Sequence, residues 1–179
     1  MGVSGSHFNK GYIVAIKEIY GDLIQMGLDK KIDVLVHGCN CFNNMGSGIA
    51  VGVKENFPEA YEVDQQTVCG TSAKLGTYTT AESKGIVVVN AYTQYGYGPK
   101  GVTAEYIRTG ISKGGRRDHF DYTGFRDILR DLKDEFAGKH IGFPLIGAGH
   151  AGGEWERIMA MIGAELAGEN VTIVHYNRQ

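Results

Sequence analysis

Apolar and polar residues alternate from Tyr12 to Ile19, a period of two that predicts a half-buried strand ending at a turn around Gly21 and Asp22. Val34 to His37 is a short apolar run and reads as a buried strand. Ile49, Val53 and Phe57 have helical spacing, so a helix is predicted over Ile49 to Phe57; Pro58 breaks it before a second helical piece at Glu59 to Gln66. Leu75 to Glu82 and Ile86 to Tyr92 predict neighbouring strands joined by the polar turn Ser83-Lys84-Gly85, a hairpin. Phe125, Leu129, Leu132 and Phe136 share one face of a predicted helix over Tyr122 to Phe136, with Asp121 as its N-cap. Ile141 to Leu145 predicts a strand, Trp155 to Leu166 a helix with Ile158, Met161, Ile162 and Leu166 inward, and Val171 to Tyr176 a last strand. Strands alternating with helices place the chain in the α/β class, with a largely parallel sheet covered on both faces.

Two stretches fall outside this alternation. Met1 to Lys10 is poor in apolar residues and is expected to be a flexible N-terminus, which leaves 11–179 as a single domain. From Tyr95 to His119 the periodicity is lost, and the segment reads as a long loop or insertion. Its Lys113, Arg116, Arg117 and His119 form a dense basic patch that either steers an anionic substrate, contacts RNA, or is simply a solvated loop.

Composition narrows the classes. A chain of 179 residues with 42% hydrophobic and 21% charged residues can build its own core, which excludes intrinsic disorder. Lys and Arg number 18 against 20 Asp and Glu, a net charge of -2 that argues against nucleic acid as a partner. The longest apolar runs, such as Ile86 to Val89, are too short to cross a bilayer, and no signal-peptide core is visible, so a cytoplasmic protein without membrane contact is expected. Three cysteines without the spacing of a zinc site fit a reducing compartment; no metal, no cofactor and a monomeric state are expected.

Glycine changes the picture more than charge does. Among the 27 glycines, two clusters share one design: Gly46-Ser47-Gly48 precedes the helix at Ile49, and Gly147-Ala148-Gly149-His150-Ala151-Gly152-Gly153 precedes the helix at Trp155. Each follows an apolar strand. In α/β sheets, ligands sit at the carboxyl ends of strands, where loop amides and helix N-termini point at anions, so two such loops can clamp a diphosphate. Tight turns are the other common reason for glycine after a strand. Neither cluster has the spacing of a phosphate loop or a dinucleotide fingerprint, which disfavours a nucleoside triphosphatase or a dehydrogenase.

The residues also carry a resemblance. Gly21-Asp22-Leu23, then Val36-His37-Gly38-Cys39-Asn40 with Gly46-Ser47-Gly48-Ile49-Ala50, then Phe143-Pro144-Leu145-Ile146-Gly147-Ala148-Gly149, resemble the macro domain, the ADP-ribose-binding module, in order and over nearly the whole chain. Within that family the chain is most similar to the branch of ADP-ribose 1''-phosphate phosphatases and of deacylating or deribosylating macrodomains. The resemblance implies a three-layer α/β/α sandwich around a central mixed, largely parallel sheet. It implies that Asp22 accepts a hydrogen bond from the adenine amino group and that Leu23 meets the ring edge. Asn40 would contact the distal ribose, amides of Gly46, Ser47, Gly48, Ile49 and Ala50 and of Gly147, Ala148, Gly149, Ala151 and Gly152 would cradle the phosphates, and Tyr176 and Asn177 would flank the adenine. The chain differs from many relatives in carrying His37 in place of a first asparagine and His150-Ala151-Gly152 in place of an aromatic; no aspartate occurs from His150 to Glu154.

The activity implied is hydrolysis of ADP-ribose 1''-phosphate to ADP-ribose and phosphate, with His37, Asn40 and His150 as the catalytic candidates. An imidazole titrating near neutral pH can serve as nucleophile, base or acid. His37 is expected at the terminal phosphate as nucleophile or base for water, and His150 as donor of a proton or hydrogen bond. The alternative is that His37 ends a buried strand with its nitrogens satisfied and that His150 faces solvent. Cys39 and Cys41 read either as a nucleophilic pair or as small apolar packing. Two further functions stay open: a non-catalytic binder of ADP-ribose or a related NAD-derived signal, and a hydrolase that removes ADP-ribose from modified macromolecules.

Overall fold

The computed structural model describes residues 16–97, 120–149 and 151–176. In chain order the elements are β1 (Lys17–Gly21), α1 (Leu23–Leu28), β2 (Val34–Asn40), α2 (Ile49–Asn56), α3 (Pro58–Gln65), a short 3-10 turn (Ser72–Lys74), β3 (Tyr78–Ser83), β4 (Ile86–Gln94), α4 (Tyr122–Glu135), β5 (His140–Phe143), α5 (Trp155–Glu165) and β6 (Asn170–Tyr176). The strands form one sheet in the order β1-β6-β5-β2-β4-β3. Every neighbouring pair is parallel except β3 with β4. The sheet is therefore mixed and largely parallel, as expected.

Burial sorts the strand residues onto two faces. Val34, Val36, Ile141, Phe143, Val171 and Ile173 pack with Phe125, Leu129 and Leu132 of α4 and Ile158 and Ile162 of α5. Leu35, Val88 and Val174 point the other way, against Leu23 of α1, Val53 of α2 and Ala60 of α3. A sheet buried on both faces explains why β2 reads as a continuous apolar run rather than an alternating one. Helices on both sides complete the α/β/α sandwich.

Local chemistry sets most boundaries. Asp121 caps α4 by accepting a hydrogen bond from the Gly124 amide at 3.0 Å, and Pro58 begins α3 in the first-turn position where its missing N–H costs nothing. The β3–β4 hairpin turns through Lys84 and Gly85, both at positive φ (52° and 85°), the combination that matches the twist of the strands.

Several boundaries differ from expectation: β2 runs on past His37 to Asn40 and β4 past Tyr92 to Gln94, while β5 stops at Phe143 rather than Leu145. β1 occupies Lys17–Gly21, and Tyr12 to Ala15 lie outside the described residues, as does the whole of Met1–Lys10. The expected turn at Asp22 opens a helix instead: Asp22 Oδ1 accepts from the amides of Ile24 (2.8 Å) and Gln25 (3.2 Å) and so caps α1, which at six residues is too short to show a period. β3 starts at Tyr78 rather than Leu75, because the 3-10 turn consumes the residues before it. Most of the expected 95–119 loop, including its basic patch, lies outside the described residues. No helix among the described residues is long and apolar enough to cross a membrane.

Candidate functional site

Five parallel strands send their carboxyl ends to one side of the sheet, and a cleft of about 1030 Å³ runs across those ends. That is the size of a small-molecule site and the place where α/β sheets bind ligands. Asp22, Leu23 and Tyr176 line the end above β1 and β6; Gly38, Asn40, Asn44 and Gln94 line the part above β2 and β4. Since neighbouring strands lie about 4.8 Å apart, the three steps from β6 to β4 give the cleft a span of roughly 14 Å, enough for an extended dinucleotide-like ligand.

Both glycine loops contribute walls. Ser47, Gly48, Ile49 and Ala50 line the cleft at the start of α2, and Gly147, Gly149 and Ala151 line it from the loop after β5. Gly48 is the N-cap of α2 with φ 59° and ψ -146°, a conformation essentially confined to glycine, and the helix has no side-chain cap. The first amides of α2 therefore carry the positive end of the helix dipole into the cleft uncovered by protein. Gly147 (φ 76°) is needed for a second reason: a Cβ there would lie 2.3 Å from the Phe120 ring. Among the described lining residues there is no lysine, arginine or histidine, so an anion held here is met by backbone N–H groups and the dipole.

Not every expected residue reaches the cleft. Gly46, Ala148 and Gly152 are absent from its lining, and their amides are already engaged: Gly46 with Asn44 Oδ1 at 2.9 Å, Ala148 with the Leu145 carbonyl at 3.2 Å, Gly152 with that of Gly149 at 3.1 Å. His150 and Asn177 lie outside the described residues. Asn40 lines the cleft, yet its amide also organises the β2–α2 loop: Oδ1 accepts from the amides of Phe42 (2.9 Å) and Asn44 (3.3 Å), and Nδ2 donates to the Asn44 carbonyl at 2.7 Å.

His37 is placed away from the cleft. It is 0% exposed and alternates with Val36 and Gly38 so that its ring points toward α3. Nε2 lies 2.8 Å from Asn90 Oδ1. Asn90 Nδ2 donates to the Ala60 carbonyl (2.7 Å) and Thr79 Oγ1 (3.0 Å), which identifies Oδ1 as the acceptor and puts the imidazole proton on Nε2. Burial lowers the His37 pKa and keeps the ring neutral. In this structure the ring is hydrogen-bonded inside the protein and is not among the residues that line the cleft, the arrangement expected of a buried strand end.

The cysteines follow the packing alternative. Cys39 packs with Met45 and Tyr92, its Sγ 3.6 Å from His37 Nε2, and burial pushes its thiol well up. Cys41 is raised to about 11, again chiefly by burial, and donates to the Gln94 carbonyl at 3.7 Å. Neither is a thiolate at neutral pH.

Sequence reading missed Asn44 and Gln94. Gln94 comes to the cleft through an irregularity in the β2–β4 ladder, where Cys39 pairs with Tyr92 but Asn40 pairs with Gln94, leaving Thr93 as the extra residue of a bulge. Bulges re-aim side chains in this way, and nothing in a single strand's pattern announces one. Asn44 lies two residues before the Gly46-Ser47-Gly48 cluster, which is the sequence signal that points to it.

No family model matches the chain. It is 29% identical over 170 residues to the uncharacterized 17.5 kDa protein of the tk-vs intergenic region of Enterobacteria phage T4, covering 90% of this chain and 96% of that protein. A shorter match, 41% over 49 residues, covers 27% of this chain and 23% of the ADP-ribose 1''-phosphate phosphatase of Aspergillus oryzae. Among solved structures it resembles the macrodomain of Thermus aquaticus DarG, with a TM-score of 0.60 and 20% identity over 92% of this chain and 99% of that one. It resembles a macrodomain protein of Streptomyces coelicolor at a TM-score of 0.62 and 18% identity, over 92% of this chain and 100% of that one. This chain has the macrodomain fold. The likeness extends to Thermosipho africanus DarTG, solved in complex with ADP-ribose (TM-score 0.60, 18% identity, 90% of this chain and 42% of that one). In this macrodomain sheet the elements that wall the cleft are the loops after β2 and β5, with the Asp22 cap and Tyr176 at the far end.

Proposed function

We propose that the cleft binds ADP-ribose and that the protein hydrolyses ADP-ribose 1''-phosphate to ADP-ribose and phosphate. The observation that carries the binding is the uncapped start of α2 and the Gly147 loop, both lining one cleft that has Asp22 at its far end. The adenine lies at the Asp22 and Tyr176 end. Asp22 Oδ1 is occupied by the α1 cap, and Oδ2, without a partner among the described residues, accepts the adenine amino group. The diphosphate crosses the two glycine-rich walls, and the distal ribose lies toward Asn40, Asn44 and Gln94. Two ligand-bound relatives of the fold support the ligand class, one holding ADP-ribose and one, from Trypanosoma brucei, holding ADP.

Hydrolysis of the 1''-phosphate is supported by the local match to the Aspergillus phosphatase. In that step water adds to phosphorus, the P–O bond to the distal ribose breaks, and the leaving oxygen takes a proton. Asn40, Asn44 and Gln94 offer amide groups to orient the phosphoryl oxygens and the water, and His150 is the proposed proton donor. A non-catalytic binder is the second reading, favoured by the absence of lysine, arginine and histidine from the described lining.

Phosphate release from ADP-ribose 1''-phosphate, measured with ADP-ribose affinity on the same preparation, separates the readings. Binding with release that disappears in His150→Ala supports the phosphatase. Binding without release assigns a reader, release of ADP-ribose from a modified macromolecule assigns the third function, and no binding sinks the proposal.

A further inference from the structure

A network of buried polar side chains stands behind the β2–α2 loop, outside the cleft. Lys74 is at its centre: Nζ donates to Asn43 Oδ1 at 2.7 Å and to Thr67 Oγ1 at 2.6 Å, lies 3.6 Å from Asp64 Oδ1, and sits 4.2 Å from the centre of the Tyr92 ring. The two side chains of the ion pair are 7% and 2% exposed. Tyr92 donates its hydroxyl to Asp64 Oδ1 at 2.8 Å and lies 3.3 Å from Thr79 Oγ1, which takes a hydrogen from Asn90 and so joins the network to His37. The cleft lining includes none of Lys74, Asp64, Thr67 or Tyr92.

We propose that Lys74 is a positioning residue for ligand binding, acting through Asn43 to hold the backbone that presents Asn44 and the start of α2 to the cleft; the ligand named here rests on the functional reading above. Asn43 has φ 57°, a left-handed conformation uncommon outside glycine. It is held there from every side. Its Nδ2 donates to the carbonyls of Asp64 (2.8 Å) and Thr67 (3.0 Å), its Oδ1 accepts from Lys74, and its carbonyl accepts from Gln65 Nε2 at 2.8 Å. The next residue is Asn44, which lines the cleft, takes the Gly46 amide on its Oδ1 and gives its carbonyl to Asn40. Fixing Asn43 therefore fixes the course of the chain into Gly48 and α2.

The chemistry of the anchor is informative. Burying an ammonium and a carboxylate is costly, and well-packed apolar residues would often stabilise a fold at least as well. What the charged pair provides is directionality. An ammonium aimed at one amide oxygen specifies a single rotamer of Asn43 and a single path for the loop, whereas apolar packing would tolerate several. A loop already in its bound course loses less freedom when the ligand arrives, so the network contributes to affinity without touching the ligand.

Two variants test this. Asn43→Gly keeps the left-handed backbone accessible and deletes every side-chain tie; the double variant Lys74→Met with Asp64→Asn removes both buried charges together and leaves Tyr92 a partner. Each is measured well below its own unfolding temperature, for ADP-ribose affinity by calorimetry and for exchange of the Asn44 and Gly46 amides. The expected result is affinity about tenfold weaker in both variants, with faster exchange at those amides and unchanged exchange in β5 and β6. Folded variants that bind as tightly as the wild type and protect those amides equally overturn the proposal. If the wild type takes up no ADP-ribose, the functional reading fails, and the amide exchange alone decides the positioning role.

Discussion

His37 and Asn90 face each other across β2 and β4, hydrogen-bonded at 2.8 Å in the layer between the sheet and α3. The contact gives the imidazole a structural task. Deleting it leaves Asn90 Oδ1 buried without a donor, so His37→Ala should lower stability by about 2 kcal/mol or more from the lost bond and the cavity. Denaturant unfolding reads the loss. ADP-ribose affinity, measured where the variant is still folded, is expected to stay within about twofold of the wild type, because the hydrogen bonds that tie the loop at Asn43 are intact; a loss of binding or turnover with no loss of stability would return His37 to the site.

The same residue makes stability depend on pH. Burial holds the folded pKa of His37 below its ordinary value of 6.5. Above about 6.5 both folded and unfolded chains carry a neutral ring and this contribution to stability is complete. As pH falls below that value the unfolded state takes up a proton that the folded state refuses, and the contribution is lost progressively down through the folded pKa. The urea midpoint should therefore drop between pH 7.5 and pH 5, and His37→Asn should flatten part of that drop.

Asp22 has two tasks that substitution can separate. Asp22→Ala should cost about 1 kcal/mol through loss of the α1 cap and should also weaken ADP-ribose binding. Asp22→Asn keeps a capping oxygen and loses the carboxylate. It should restore most of the stability but not the affinity; calorimetry showing full affinity in the asparagine variant would remove Asp22 from the adenine contact.

Gly48→Ala isolates a backbone requirement. No atom lies within 4 Å of where its Cβ would sit, so crowding contributes nothing and the strained φ alone should cost about 1–3 kcal/mol. Since the chain must rotate to relieve it, the first amides of α2 turn and ligand affinity falls with stability. Gly147→Ala meets the Phe120 ring as well and should be the more damaging of the two in thermal unfolding.

Thiol chemistry checks the burial of the β2 end. Cys69 is exposed, whereas Cys39 and Cys41 are buried with their thiols held protonated. At pH 8 an aromatic disulfide reagent should modify one thiol of the three quickly and the remaining two only on unfolding. Rapid reaction of a second thiol would show that the floor of the β2–α2 loop opens in the native state.

Much of this architecture is written in local pattern. Short apolar runs marked the inner strands, the face shared by Phe125, Leu129 and Leu132 gave α4, Asp121 announced its start, and Lys84-Gly85 the hairpin turn; these depend on residues a few positions apart. The glycine clusters after β2 and β5 marked both walls of the cleft for the same reason: where a strand ends and a helix begins, only a few backbone conformations serve, and glycine supplies them. Tertiary structure decided what lies across the chain. Whether His37 faced ligand or core depended on which side of β2 met α3, and its partner Asn90 is 53 positions away. Gln94 reached the cleft by a bulge that exists only because β2 and β4 are paired. Lys74 gained a role from Asn43, 31 positions earlier, with Asp64 and Tyr92 beside it. A single buried lysine or histidine carries no mark of its partner in the sequence, because burial and hydrogen-bond geometry come into being only when distant segments pack.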